Sequence, residues 1–400
     1  MNSDLNKLQP YPFEKLNQLK SAVVPTPDYS PIALSIGEPK HESPAFVLDE
    51  LTKQLGKLSL YPSTKGLPEL RTSICNWLTK RFKLQADSLQ ADDHVLPVNG
   101  TREAIFSLTQ AVIDRSEKQV PFVVSPNPFY QIYEGAAFLA GAEPHFLPCL
   151  QENNYIPDFD KVPSNIWQRC QLLFLCSPGN PTGAVISSET LQKLIRLADE
   201  YDFIIASDEC YSEIYCDESQ PPVGLLQACA DMNRNDYKRC VVFHSLSKRS
   251  NLPGLRSGFV AGDATIMQQF LKYRTYHGSA MPIQHQLASI TAWDDETHVQ
   301  ENRSFYRDKF ATVLPILQEV MTAEQTDASF YLWLKTPIAD DLFAQKLFQE
   351  KHVTVLPGRY LSRTVEGINP GEGRVRLALV APLNECIDAA ERIRDFVKCL

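Results

Sequence analysis

The sequence predicts an α/β fold. A large domain over residues 45–290 surrounds a mostly parallel central sheet, and a small α+β domain is built from both chain ends, 1–44 and 291–400. Two observations predict it. Short apolar runs at 172–175 and 203–207 are joined by a stretch in which Leu191, Leu194, Ile195 and Ala198 share one helical face. Strand, amphipathic helix, strand in that order is a crossover connection, and a crossover makes its two strands parallel. Beyond about residue 290 the pattern changes to longer helices with scattered short strands, at 329–333 and 353–356 among others.

The length of 400 residues and the 44% of apolar side chains suffice for two cores. The net charge of −9 leaves no basic stripe, so nucleic acid is not expected as a partner, and an anionic ligand must be met by local arginines. Ten cysteines include no C-x-x-C pair, and several sit inside apolar runs. Reduced core thiols are expected, and no metal cluster. The first residues lack a basic and apolar leader, and no apolar run approaches the roughly 18 residues of a membrane span, so a cytoplasmic protein is expected.

Taken in order, residues 1–47 are a poorly periodic lead-in that ends in LSIGEP at 34–39. A helical pattern over 45–60 is interrupted by YPSTKG at 61–66. NGTR at 99–102 precedes Ala104, Ile105, Leu108, Ala111 and Val112 on one face, so a helix starts at the glycine–threonine step. Free N–H groups and the dipole favour an anion there, which makes Gly100, Thr101 and Arg102 a candidate phosphate cradle. A strand at 120–124 leads to PNPFY at 126–130, and the strand at 172–175 ends in CSPGNPTG at 176–183, a turn held by its prolines. The strand at 203–207 ends in DECY at 208–211, and two further strands, at 241–244 and 259–261, flank SLSKRSNLPGLRSG. Near the C-terminus RVRLAL at 374–379 alternates, so Arg374 and Arg376 share one strand face.

The chemistry centres on Lys248, a lone lysine delivered to a strand end. Ser245 and Ser247 supply hydroxyls, two glycines let the backbone approach, and Arg256 can fork onto phosphate oxygens. An ammonium beside another cation and partly desolvated loses its proton readily, and the free amine attacks an aldehyde. Lysine with a phosphate site implies pyridoxal 5'-phosphate. Asn180 would offer an amide to the phenolic oxygen of that cofactor, and Asp208 would pair with its pyridine nitrogen. Glu209 competes with Asp208 as part of an acidic helix-end pair, and His244 in its apolar strand is expected to be a core residue, as are Phe129 and Tyr133.

These stretches, in this order, resemble the fold-type I pyridoxal phosphate aminotransferases, class I/II. Further matches at 8–16, 34–41, 98–104 and 127–137 cover nearly the whole chain and resemble the proteobacterial succinyldiaminopimelate transaminase subfamily. The resemblance implies further roles. The backbone of Gly37 would approach the substrate carboxylate, Tyr130 would lie against the cofactor ring, and Tyr211, one helical turn past Asp208, would join Asn180 at the phenolic oxygen. Arg376 would fork onto the substrate α-carboxylate, and Tyr61 would reach the phosphate of a second subunit, which implies a homodimer with shared sites.

The implied reaction is ping-pong amino transfer: glutamate displaces Lys248, whose freed amine moves a proton between substrate Cα and the cofactor, and 2-oxoglutarate leaves. The implied acceptor is N-succinyl-2-amino-6-ketopimelate. N-acetylornithine or aromatic and aspartate-type amino transfer is the alternative, followed by a lyase on the same fold or a ligand-binding regulator. Spacing does not choose among Lys40, Arg274, Arg359 and Arg363 for the distal carboxylate.

Overall fold

The structure, a computed structural model, describes residues 1–116 and 119–400. Its strands are β1 (Ile32–Ala33), β2 (Val95–Val98), β3 (Phe122–Asn127), β4 (Glu143–Pro148), β5 (Cys170–Cys176) and β6 (Ile204–Asp208). They continue as β7 (Cys240–Ser245), β8 (Gly258–Gly262), β9 (Tyr331–Lys335), β10 (Val353–Thr354), β11 (Leu356–Pro357) and β12 (Arg374–Ala378). Seven form the central sheet in the order β2-β8-β7-β6-β5-β3-β4. Pairings from β4 through β7 are all parallel, and β8 runs antiparallel to both its neighbours.

Alternation along each strand builds a core on both faces of this sheet. Leu172 and Phe174 of β5 pack with Ile105, Leu108 and Phe270 on one side, while Leu173 and Leu175 pack with Leu194, Ile195 and Trp293 on the other. A parallel sheet covered on both faces needs continuous apolar runs, which is why these strands do not alternate with polar residues. Each fully buried side chain of this size contributes about 1.5–3 kcal/mol relative to exposure.

The small domain has its own core, in which Leu332, Leu334, Val375 and Leu377 meet Phe310, Val313 and Phe396. Its three-stranded sheet has the order β11-β12-β9 and is antiparallel. The N-terminal segment joins it: β1 pairs with β10, and Leu34 O accepts a bond from Ala378 N at 2.7 Å. That bond sets Ser35, Ile36 and Gly37 beside the end of β12.

Several local expectations are corrected. The lead-in contains a helix, Pro12–Ser21, which begins on a proline and buries Leu16. The helical pattern over 45–60 divides into an α-helix, Ala45–Lys53, and a 3₁₀ segment, Leu55–Ser59. The strand expected at 120–124 is shifted to Phe122–Asn127 and includes Pro126, because pairing to β5 has ended by Val124 and the missing N–H breaks no bond on that side. No helix begins at Asp208; residues 209–213 form a turn, so Tyr211 is not a helical neighbour of Asp208.

Candidate active site

The carboxyl ends of β3, β5, β6 and β7 open into a cavity of about 480 Å³ that reaches Arg376 and Gly37 of the small domain. This is where an open α/β sheet holds ligands. A wider groove of about 1300 Å³ lies at the opposite, amino ends of the strands. Its Arg239 is paired to Asp202 at 2.6 Å, and among the described residues no buried lysine lines it.

Lys248 sits in the short helix Leu246–Arg249, capped by Ser245, whose Oγ accepts the Ser247 N–H at 3.1 Å. Asn302 holds the same turn by donating to the Lys248 carbonyl at 3.2 Å. The Lys248 ammonium donates to Gly37 O, and among the described residues no carboxylate lies within salt-bridge distance of it. Burial, then the cations Arg376 and Arg256, push its pKa down to about 8. At pH 8 half of it is free amine, about a hundredfold more than an ordinary lysine with a pKa near 10.4.

Asp208 ends β6 with its side chain buried. Its Oδ2 accepts the Tyr133 hydroxyl at 2.9 Å and its Oδ1 the Cys210 N–H at 3.3 Å. Burial raises its pKa against those donors. Glu209 projects to the other side, where it accepts the Leu225 N–H at 2.8 Å and lies 3.2 Å from His244 Nε2. Strand alternation thus decides the acidic pair: Asp208 lines the cavity and Glu209 does not. His244 is packed among Trp77, Phe82 and Phe259, a core position.

Tyr133 was expected in the core, and its ring is there, stacked on Phe174 at 4.5 Å. Its hydroxyl is the part the periodicity missed. Tyr133→Phe keeps the packing and removes a bond to a charged acceptor, worth about 1.5–3 kcal/mol, so kcat should fall roughly tenfold or more with melting temperature nearly unchanged. An unchanged kcat and pH profile would show that bond to be idle.

Arg376, on β12, is 4% exposed. It donates to Asn180 Oδ1 at 2.9 Å and to Ser35 O at 2.7 Å, lies 4.4 Å from the Tyr331 ring centre, and keeps a buried Nε with no partner. Because Asn180 Oδ1 is taken, its amide Nδ2 remains as a donor. Tyr211 and Tyr331 share a hydroxyl bond of 2.9 Å, and any β-carbon at Gly37 would collide with the Tyr331 hydroxyl. Tyr331 is a site residue that the apolar run at 329–333 concealed.

Opposite Lys248, the helix Thr101–Val112 starts from Gly100 at φ 83°, where an added side chain would strike Arg256. The Gly100 N–H is spent on Val98 O, so the free donors of this helix start are those of Thr101 and Arg102. Glu103 is neutralised by Arg274 at 2.8 Å, which keeps its charge off the helix mouth. Arg256 is exposed to the cavity and donates to Pro253 O at 2.8 Å. The Arg102 guanidinium donates instead to the hydroxyls of Tyr130 at 2.6 Å and Tyr11 at 3.3 Å. Tyr61 does not line this cavity and is fully exposed.

None of the four distal candidates lines the cavity. Arg274 is consumed by Glu103, Arg359 by Asp340 at 2.8 Å and Arg363 by Glu134 at 2.6 Å, while Lys40 is exposed. Among the described residues no group of three or more His, Cys, Asp or Glu could hold a metal, and no helix is long and apolar enough to cross a membrane.

Comparison with known proteins agrees with this geometry. An aminotransferase from Neisseria meningitidis is 50% identical, covers 99% of this chain and 100% of its own, and superposes with a TM-score of 0.94. The aminotransferase AspB from Helicobacter pylori is 35% identical over 98% of this chain and 99% of its own, with a TM-score of 0.88. The LL-diaminopimelate aminotransferase of Maridesulfovibrio salexigens is 30% identical over 395 residues, 97% of each chain. The model of aminotransferase class I and II matches residues 29–393. The chain therefore belongs to the class I and II aminotransferases, a family that uses pyridoxal 5'-phosphate.

Proposed function

We propose that this aminotransferase exchanges an amino group between glutamate and N-succinyl-2-amino-6-ketopimelate, forming N-succinyl-LL-diaminopimelate for lysine synthesis in the cytoplasm. The observation that carries amino transfer is one cavity lined by a deprotonation-prone Lys248, a buried Asp208 and a buried Arg376. Two things support the substrate. Relatives of 30% identity over nearly the full length are LL-diaminopimelate aminotransferases, and the stretches at 34–41, 98–104 and 127–137 resemble the succinyl-using subfamily.

The residues fit the cofactor. A buried carboxylate that forms no ion pair among the described residues, as at Asp208, suits a protonated pyridine nitrogen. The free N–H groups of the helix start, with Ser245 and Arg256, suit a phosphate. Pyridoxal phosphate, when bound, supplies an aldehyde for amines and an electron sink for the bond broken at Cα. Lys248 would hold it covalently, Asn180 and Tyr211 would donate to its phenolic oxygen, and Tyr130 would lie against its ring.

The chain's own part then follows. Arg376 binds the substrate α-carboxylate through its unpartnered Nε and fixes the orientation of Cα, with the Gly37 backbone on the same side. Lys248 Nζ, increasingly free as the pH rises past about 8, takes the Cα proton and holds it for return. Tyr133 keeps Asp208 in place.

A homodimer with shared sites belongs to the same proposal. Tyr61 is fully exposed next to Leu55, Leu58 and Leu60, which are 48%, 67% and 54% exposed. An apolar strip of this kind suits cover by a second copy. Mixing inactive Tyr61→Ala chains with inactive Lys248→Ala chains should then restore activity, since one of the two sites in a mixed dimer is intact. No recovery after confirmed subunit exchange would place Tyr61 within its own chain's site or outside the chemistry.

Assay against a panel of keto acids tests the substrate. The succinylated acceptor should show the highest kcat/KM; N-acetylornithine or an aromatic or aspartate substrate in first place would replace the proposal with the corresponding alternative.

A further inference from the structure

The helix Thr297–Gln318 carries Asn302, Tyr306 and Lys309 on one face, and the ring of His41 lies across them. His41 Nδ1 is 2.9 Å from Asn302 Oδ1, His41 Nε2 is 2.7 Å from Lys309 Nζ, and the ring centre is 4.7 Å from that of Tyr306. Asn302 and Lys309 are each 2% exposed, and among the described residues no carboxylate pairs with Lys309. The roles assigned above leave His41 and Lys309 without a task.

The protons in this cluster have one consistent arrangement. Asn302 Nδ2 meets the backbone oxygens of Lys248 and Arg249 at 3.2 and 3.3 Å, and a carbonyl only accepts, so the amide nitrogen must face them. Asn302 Oδ1 then accepts from Asn251 Nδ2 at 2.9 Å and from His41, which puts the imidazole proton on Nδ1. Nε2 is left as the acceptor, and the Lys309 ammonium donates to it. Burial, with the charge of Lys309, holds His41 below the usual histidine range and so mostly neutral at pH 7, while burial brings Lys309 down to about 8, still mostly charged there. The donors therefore run one way, from Lys309 through His41 and Asn302 to the carbonyl of Lys248.

His41 also reaches Lys248 from its other end. Four residues before His41, Gly37 O accepts from the Lys248 ammonium. One segment thus touches the amine of Lys248 directly and its backbone through Asn302. The helix that bears Lys248 is a single turn of four residues, with little stiffness of its own.

We propose that His41, oriented by Lys309, is a positioning residue that holds the Lys248 turn in place through Asn302. This rests on the reading of Lys248 as the cofactor lysine. Release of the turn lets water reach the amine, and since burial is the main cause that lowers its pKa, the pKa rises. The groups facing Lys248 Nζ are Cys210, Arg376, Glu38 and Arg256. Those facing His41 are Lys309, Asn302 and the rings of Phe305 and Tyr306, with Cys386 beyond Lys309, so a change at His41 removes no charge at the amine.

The test reads the amine directly. Apoenzyme takes up pyridoxal phosphate over a range of pH, uptake is followed by the visible band, and the linked residue is identified by borohydride trapping. In wild type the midpoint should lie near pH 8. His41→Phe keeps a ring against Phe305 and Tyr306 but loses both nitrogens. It should move the midpoint upward by roughly half a unit and lower kcat on the order of tenfold, with KM for the amino donor little changed. His41→Gln, whose amide can donate to Asn302 and accept from Lys309, should lie close to wild type. A midpoint unmoved in His41→Phe, or moved equally in both variants, overturns the positioning role while Lys248 stays the trapped residue. Trapping at another lysine in wild type overturns that reading and the proposal with it. Should His41→Phe fail to fold because Lys309 is left buried without an acceptor, the double variant His41→Phe/Lys309→Met removes the stranded charge and should show the same upward shift; an unmoved midpoint there overturns the proposal.

Discussion

Lys248→Ala is expected to abolish amino transfer, with a loss of roughly 10⁴-fold or more, because positioned proton transfer alone contributes about 10²–10⁴-fold and the covalent link to the cofactor is lost as well. The fold should survive, since among the described residues the side chain's one hydrogen bond is to Gly37 O and the turn is held independently by Ser245 and Asn302. Borohydride trapping should label Lys248 in the wild type and nothing in the variant; a trapped adduct on another lysine would remove Lys248 from the centre of the mechanism.

The pH dependence has a definite sign. Burial and neighbouring cations lower the Lys248 pKa to about 8, so the amine is free above that pH in the fold but only above about 10.4 in the unfolded chain. Between those values the unfolded apoprotein binds more protons, and stability contributed by this group rises with pH through that window. The rate at which the apoenzyme takes up pyridoxal phosphate should climb with a midpoint near pH 8 and level off above about pH 9. Arg376→Gln removes one of the cations and should move that midpoint upward.

Asp208→Ala has the second largest expected effect. Without a carboxylate at the end of β6 no group among the cavity-lining residues can keep a pyridine nitrogen protonated, and the stabilisation of charge developed at Cα is lost. The cost should be several kcal/mol, on the order of 10³-fold in kcat at about 1.4 kcal/mol per factor of ten. Glu209→Gln should be much milder for kcat, since Glu209 faces Leu225 and His244 in the core. Equal losses in the two variants would mean that the acidic pair matters only as structure.

The strands that carry the site were legible because each is a short apolar run ended by polar or turn residues, and a sheet covered on both faces requires such runs. That both chain ends build the small domain was expected, but the strand by which the N-terminal segment joins it was not legible, as β1 is two residues long and has no periodicity to read. The helix Pro12–Ser21 escaped because it buries just Pro12 and Leu16, too few for a helical stripe. Tyr133 escaped for the opposite reason: its ring is a genuine core residue, and only the hydroxyl reaches Asp208. The distal cations could not be sorted in one dimension. Arg274, Arg359 and Arg363 meet carboxylates 171, 19 and 229 positions away along the chain, whereas among the described residues the Arg102 guanidinium meets only phenols.

The most direct test of the account follows the nitrogen itself. Cofactor-loaded enzyme is incubated with ¹⁵N-glutamate and N-succinyl-2-amino-6-ketopimelate, and all products are weighed by mass spectrometry. The account requires one ¹⁵N in the succinylated diamino acid for every 2-oxoglutarate formed, with no labelled ammonia. Label released as ammonia, or 2-oxoglutarate absent while glutamate is consumed, would contradict amino transfer at Lys248.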